Sequence, residues 1–272
     1  MVSKGQRRRQ LAREKDLRQQ QRRAERQARQ RRRNAIVAAV LAVVLTAGVT
    51  LLATGALTPD GKGRNTAAQD TPPPAPTPSR GPDPCEEPAK GSPSDKTWKK
   101  EPALTVDTSA KYRAVLETTC GTITLELDPG KAPHTVNSFA FLAKERFFDH
   151  SRCHRLTTKG IFVLQCGDPT ASGSGGPGYQ LKDENLDDKS IAGGTYPKGT
   201  VAMANSGPNT AGSQFFLVYD DSPLPAAYTP FGRITDGMEV LKKIADAGEQ
   251  TGQGDGPPNA TVVIDSFRVS KV

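Results

Sequence analysis

Between Ala35 and Leu57 the chain runs for 23 residues, AIVAAVLAVVLTAGVTLLATGAL, without one charged side chain. At a rise of about 1.5 Å per residue, a helix of that length crosses a hydrocarbon core of about 30 Å with some tilt. A signal peptide carries an apolar stretch of only about 7 to 15 residues, followed by a small-residue cleavage site. This run is longer, follows a 34-residue segment and shows no such site. An uncleaved transmembrane helix over residues 35–57 is therefore expected, rather than a cleavable signal or a buried core helix. So apolar a stretch cannot belong to the same water-facing fold as its neighbours, and the chain divides there.

Charge divides it in the same way. Residues 1–33 hold 14 Lys and Arg against three Asp and Glu, a net +11, while the whole chain carries +8, so the remainder is acidic by three charges. The basic character belongs to the tail and gives no reason to assign nucleic acid to the folded part. Residues 7–33 are good helix formers, yet only Leu11 and Leu17 among them are large and apolar. Such a helix has no core-facing stripe; it lies in solvent or on anionic lipid headgroups, with an RNA-binding arm as the sharper alternative. Arg31, Arg32 and Arg33 precede the apolar run and only Lys62 and Arg64 follow closely. The positive-inside rule then places residues 1–34 in the cytoplasm and everything after Leu57 outside.

Residues 58–104 contain half of the chain's 22 prolines. Proline runs favour extended polyproline II, so this stretch is expected to be a semi-rigid extracytoplasmic spacer, with a ligand for a proline-binding module as the alternative. Trp98, the single tryptophan, is expected at the edge of the domain that follows, over 105–272. There, Arg113 to Leu127 alternates apolar and polar residues around Gly121, the pattern of two short strands. Pro133 opens a helix whose apolar residues Val136, Phe139, Phe141, Leu142 and Phe147 can lie on a sheet. Further strands are expected over 152–156, 161–165, 200–204, 214–219 and 261–269, and a second helix over 238–247, before Gly248. Many short strands with two helices predict a mainly β fold, an antiparallel barrel capped by helices.

The most specific string is MANSGPNTAGSQFFLV, Met203 to Val218. It closely resembles the signature of the cyclophilin-type peptidyl-prolyl isomerases. CHRLTTKGIFVLQCGDPT (Cys153 to Thr170), GSGGPGYQLKDEN (Gly173 to Asn185) and PFGRITDGMEVLKKI (Pro230 to Ile244) resemble the family's His-Arg strand, its next loop and its second helix, in that order. The Leu-Thr-Thr insertion is similar to that of the membrane-anchored bacterial members. The resemblance implies a closed eight-stranded antiparallel barrel capped by two helices, no metal or cofactor, and proline-containing polypeptides as binding partners. It implies that Arg155 is the catalytic cation, aided by Gln165 and Asn205. It further implies that Phe162, Val163, Phe216 and Leu224 form a proline socket, that Ala204 and Gln214 hold the peptide, and that Tyr228 closes the pocket.

Rotating an X-Pro bond breaks amide resonance against a barrier of about 18–20 kcal/mol. Reaching milliseconds takes preferential stabilisation of the twisted state by about 7 kcal/mol. No covalent step is needed. An apolar socket for the ring, groups that fix the flanking peptide, and a cation near the imide nitrogen, whose lone pair localises on twisting, suffice. Departures from the family pattern reshape the site: two extra residues separate Arg155 from Phe162, Val163 stands where many members carry methionine, and Pro223 and Tyr228 stand for tryptophan and histidine. Loss of that tryptophan implies weak inhibition by cyclosporin.

Other patterns carry less. GSGGPG, Gly173 to Gly178, formally matches G-x-G-x-x-G, but Pro177 and the lack of a following helix argue against a nucleotide loop. Cys153, His154 and Cys166 lack a fourth zinc ligand at a usual spacing. Four cysteines on an oxidising side allow three disulfide connectivities. Cys153 and Cys166 fall on strands expected to be neighbours, which favours that pair and leaves Cys85 with Cys120. The expected function is an extracytoplasmic, membrane-tethered prolyl isomerase acting on exported proteins. The alternative is the same fold used as a non-catalytic proline-peptide-binding module in a membrane or wall complex.

Overall fold

The computed structural model describes residues 83–272; the basic tail, the apolar run and the first part of the proline-rich stretch lie outside the described residues. Among the described residues no helix is long and apolar enough to cross a membrane. They form one curled antiparallel sheet and two α-helices. The strands are β1 (Tyr112–Thr118), β2 (Gly121–Leu127), β3 (Ser151–Arg152), β4 (Arg155–Thr157), β5 (Val163–Cys166), β6 (Thr200–Met203), β7 (Phe215–Val218), β8 (Pro230–Asp236), β9 (Asp255–Gly256) and β10 (Val263–Lys271), with α1 at Pro133–Lys144 and α2 at Met238–Asp246.

The hydrogen-bonded order is β3-β10-β1-β2-β8-β6-β7-β5-β4-β9. The expected closed barrel of eight strands is thus replaced by ten strands in a linear order. Two local features account for the difference. β9 is a two-residue strand added outside β4. At Cys153 and His154 one strand changes partner: the Cys153 N–H donates to Val262 on one side at 2.9 Å and the His154 N–H to Gln165 on the other at 3.1 Å. Pairing is interrupted there, but the chain is not, and β3 at one end of the sheet leads directly into β4 near the other.

Side-chain alternation along the strands sets two apolar regions apart. On β7 all four residues are buried. Phe215 and Leu217 enter the main core, whereas Phe216 and Val218 join a smaller cluster with Val163, Ile191, Tyr196 and Ala202. Period-2 alternation puts successive residues on opposite faces, so this strand is apolar on both. Inside the main core Phe139 of α1 packs against Phe148, Phe231 and Phe267 with ring centroids 4.6 to 6.0 Å apart. No side chain of Ala132 caps α1; the Glu184 carboxylate does, accepting from the His134 N–H at 3.0 Å and the Thr135 N–H at 2.8 Å, where the helix dipole favours negative charge. α2 begins after Gly237, whose φ of 87° is one that other residues rarely adopt.

Residues 83–104, assigned by composition to the spacer, belong to the folded unit. A disulfide joins Cys85 to Cys120, the Trp98 N–H donates to Pro177 at 2.8 Å, and the Asn137 amide donates to the carbonyls of Pro102 and Ala103 at 3.3 and 3.0 Å. Trp98 meets Phe141 edge-on at 5.1 Å and Phe147 at 5.8 Å. Proline content stiffens a strap without deciding whether it stands off a surface or lies on it; here apolar contact and the disulfide hold it down.

Candidate active site

β4 and β5 pair so that Arg155 lies opposite Gln165, and the guanidinium Nη1 donates to Gln165 Oε1 at 3.3 Å. The amides continue in one direction: Gln165 Nε2 donates to Gln214 Oε1 at 2.9 Å, and Gln214 Nε2 to the Gly175 carbonyl at 3.0 Å. A single chain of donors thus runs from the cation to the glycine loop. The Ala204 N–H donates to the Gln214 carbonyl at 2.9 Å, so the rim opposite Arg155 is held by backbone bonds as well.

Beside this chain lies a groove of about 500 Å³ lined by Arg155, Ile161, Val163, Gln165, Ala204, Asn205, Phe216, Leu224 and Tyr228, together with His154 and Asp255. It adjoins a cleft of about 730 Å³ along Gly173 to Gln180, Thr210 and Gln214; Gln165, Gly173, Ala204 and Asn205 border both. The groove floor is apolar and aromatic. Phe216 meets Tyr228 edge-on at 5.6 Å, and Tyr196 fixes Tyr228 by donating its hydroxyl to the Tyr228 carbonyl at 2.7 Å and accepting the Tyr228 N–H at 3.0 Å.

Most of the expected residues meet here, with two corrections. Phe162 is not in the groove: its ring packs against Tyr219 at 5.9 Å and its N–H donates to Ser222 Oγ at 2.9 Å. Alternation explains this, since Val163 faces the groove and its neighbour must face away, while Ile161 comes back to the groove in its place. Asn205 lines the groove, but its side chain is occupied elsewhere, donating to the Ala227 carbonyl at 2.7 Å and accepting the Gly207 N–H at 3.2 Å. It braces the segment carrying Tyr228 and does not touch Arg155.

Sequence reasoning missed Tyr196 and Asp255. The Asp255 carboxylate takes Arg155 in a two-pronged pair, Nε to Oδ1 and Nη2 to Oδ2, both at 2.7 Å. The pair holds the Asp255 carboxyl below its ordinary range, and the bond to Asp255 raises the Arg155 guanidinium further. Burial pushes the neighbouring His154 down, so its imidazole is neutral near pH 7. Cys153 and Cys166 form a disulfide directly beside these residues. Among the described residues no group of His, Cys, Asp and Glu is arranged to hold a metal ion.

The site thus combines a fixed cation, an aromatic floor and a rim of backbone and amide groups in one groove. Residues 113–269 match the family described as cyclophilin type peptidyl-prolyl cis-trans isomerase/CLD. The chain belongs to that family. It is 47% identical over 195 residues to a Mycobacterium leprae protein named "Probable peptidyl-prolyl cis-trans isomerase B", covering 68% of this chain and 66% of that one. A Mycobacterium tuberculosis protein of the same name is 49% identical over 166 residues, covering 58% of this chain and 54% of that one. The chain thus spans between about half and two thirds of the length of these curated relatives. Among solved structures, a cyclophilin type isomerase of Cryptosporidium parvum superposes with a TM-score of 0.51 at 27% identity, covering 59% of this chain and 98% of that one. A further structure of that protein was obtained in the presence of the dipeptide Ala-Pro and superposes with a TM-score of 0.50.

Proposed function

We propose that this chain is a peptidyl-prolyl cis-trans isomerase that acts on exported proteins outside the membrane, anchored by residues 35–57. The observation that carries the catalytic part is the position of Arg155, whose guanidinium lines the same groove as Val163, Phe216, Leu224 and Tyr228. A prolyl ring seated on Phe216 puts its imide nitrogen within reach of that cation. As the bond twists, the nitrogen lone pair loses its conjugation and becomes a better acceptor, so the guanidinium binds the twisted state more tightly than either planar isomer. Gln165 keeps the guanidinium oriented, and the Ala204–Asn205 rim aligns the substrate backbone. The site of action rests on the charge asymmetry around residues 35–57 and on two disulfides within the folded part, which persist in oxidising compartments. Lipid is then a partner through residues 35–57 and the basic tail.

The test is an isomerisation assay on the full chain. Arg155→Ala is expected to lower kcat/KM by about a hundredfold while peptide binding persists. Equal rates for parent and variant leave only the reading as a proline-peptide-binding module, which Pro223 and the residues inserted after Arg155 favour.

A further inference from the structure

The residues inserted after Arg155 have a structural use. Thr157 pairs with Asp255 and Leu156 with Gly256, so the extended β4 recruits β9 as an extra strand. In that register Arg155 and Asp255 are diagonal neighbours on one face, a separation that long side chains bridge. The loop that presents β9 is itself tied down. Glu249 accepts from the Thr251 N–H at 2.6 Å and the Gly254 N–H at 2.7 Å, and the Thr158 N–H donates to the Gly254 carbonyl at 2.9 Å. A fork-to-fork pair then fixes the guanidinium plane. It uses Nε and one hydrogen of Nη2, and Gln165 takes one hydrogen of Nη1. Two hydrogens of the guanidinium are left unused by these three bonds, on a residue that lines the groove.

The geometry points to Asp255 as a positioning residue for the isomerase reaction: with Gln165 it holds Arg155 so that its free N–H edge meets the prolyl imide, and the inserted Thr157–Thr158 segment exists to bring that carboxylate into place. This rests on the catalytic role of Arg155 proposed above. Arginine has many rotamers in water, and a donor displaced by about 1 Å loses much of its effect on the reaction. Arg155 and Asp255 are 38% and 54% exposed, and so open a pair adds little to folding stability. Its loss is therefore read in turnover.

The experiment compares the full chain with Asp255→Asn, Asp255→Glu and Arg155→Ala, measuring kcat, KM, melting temperature and the Arg155 Nε–Hε resonance. Asp255→Asn is expected to lower kcat about tenfold, to leave KM within about twofold, to move the melting temperature by less than about 3 °C, and to broaden or shift the Nε–Hε signal. Asp255→Glu is expected to restore most of the rate. If Arg155→Ala is slow but Asp255→Asn is as fast as the parent or faster, or if Glu gives no rescue, Asp255 does not position the arginine and the inference is overturned. If Arg155→Ala keeps the parental rate, the catalytic reading of the site fails first, and the inference with it.

Discussion

The Asp149 carboxylate accepts the Phe267 N–H at 3.1 Å and two nitrogens of Arg268 at 2.7 and 2.8 Å. Burial pushes its pKa up, but Arg268 and the Phe267 N–H pull it below the ordinary carboxylate range. The unfolded carboxyl titrates near about 3.9, so the stabilisation is complete above that pH and is lost as pH falls through the lower folded value. Asp149→Asn is expected to cost about 2 kcal/mol at neutral pH, and urea melts are expected to show that difference closing on acidification towards about pH 2. A difference that persists unchanged in acid contradicts this role. In the groove, Leu224 and Tyr228 are present and Pro223 is not among the lining residues. Cyclosporin is therefore expected to inhibit the protein weakly, and submicromolar inhibition in the isomerisation assay contradicts that. Arg155, Gln165, Gln214 and Phe216 were legible from their local strings. Asp255 was not, because it lies 100 residues from Arg155 in the glycine-rich run TGQGDGPP, where no periodicity marks a strand. Phe162 was misplaced because an inserted loop leaves the alternation of β5 to decide its face.

Among the elements, the hairpin of β1 and β2, helix α1 and helix α2 were legible from apolar periodicity and from Pro133. β8 escaped because it opens on Pro230, which has no N–H, and contains Gly232; its pairing with β2 and β6 is a tertiary fact. The strap over 83–104 has the composition of a spacer, because composition reports stiffness and not attachment. Its attachment is testable because Trp98 is the chain's single tryptophan. Replacing Cys85 and Cys120 by serine is expected to cost about 3 kcal/mol and to shift Trp98 emission to the red as the ring leaves Phe141 and Phe147. Unchanged emission and stability would show that the strap is held without the disulfide.

At the scale of the whole molecule, the division into a basic tail, an apolar run and a folded unit follows from charge and hydropathy alone, because those properties add along a chain without regard to its fold. Strand number does not add in that way. One strand that changes partner at Cys153 and His154 counts as two, and the two-residue β9 is visible only once β4 is in place to pair with it. The expected orientation is tested by a periplasm-type or secreted reporter fused after Val272, which is expected to be active outside the membrane; activity confined to the cytoplasm reverses the topology.

The Cys85–Cys120 bond also has a mechanical meaning. Cys85 is near the start of the described residues, and Cys120 sits in the turn between β1 and β2. Tension arriving along the chain from before Asp83 passes through this covalent link into the β1–β2 turn, and the strap that carries Trp98 lies in a slack loop off the load path. A protease cut anywhere between the two cysteines would likewise leave the two pieces tied together.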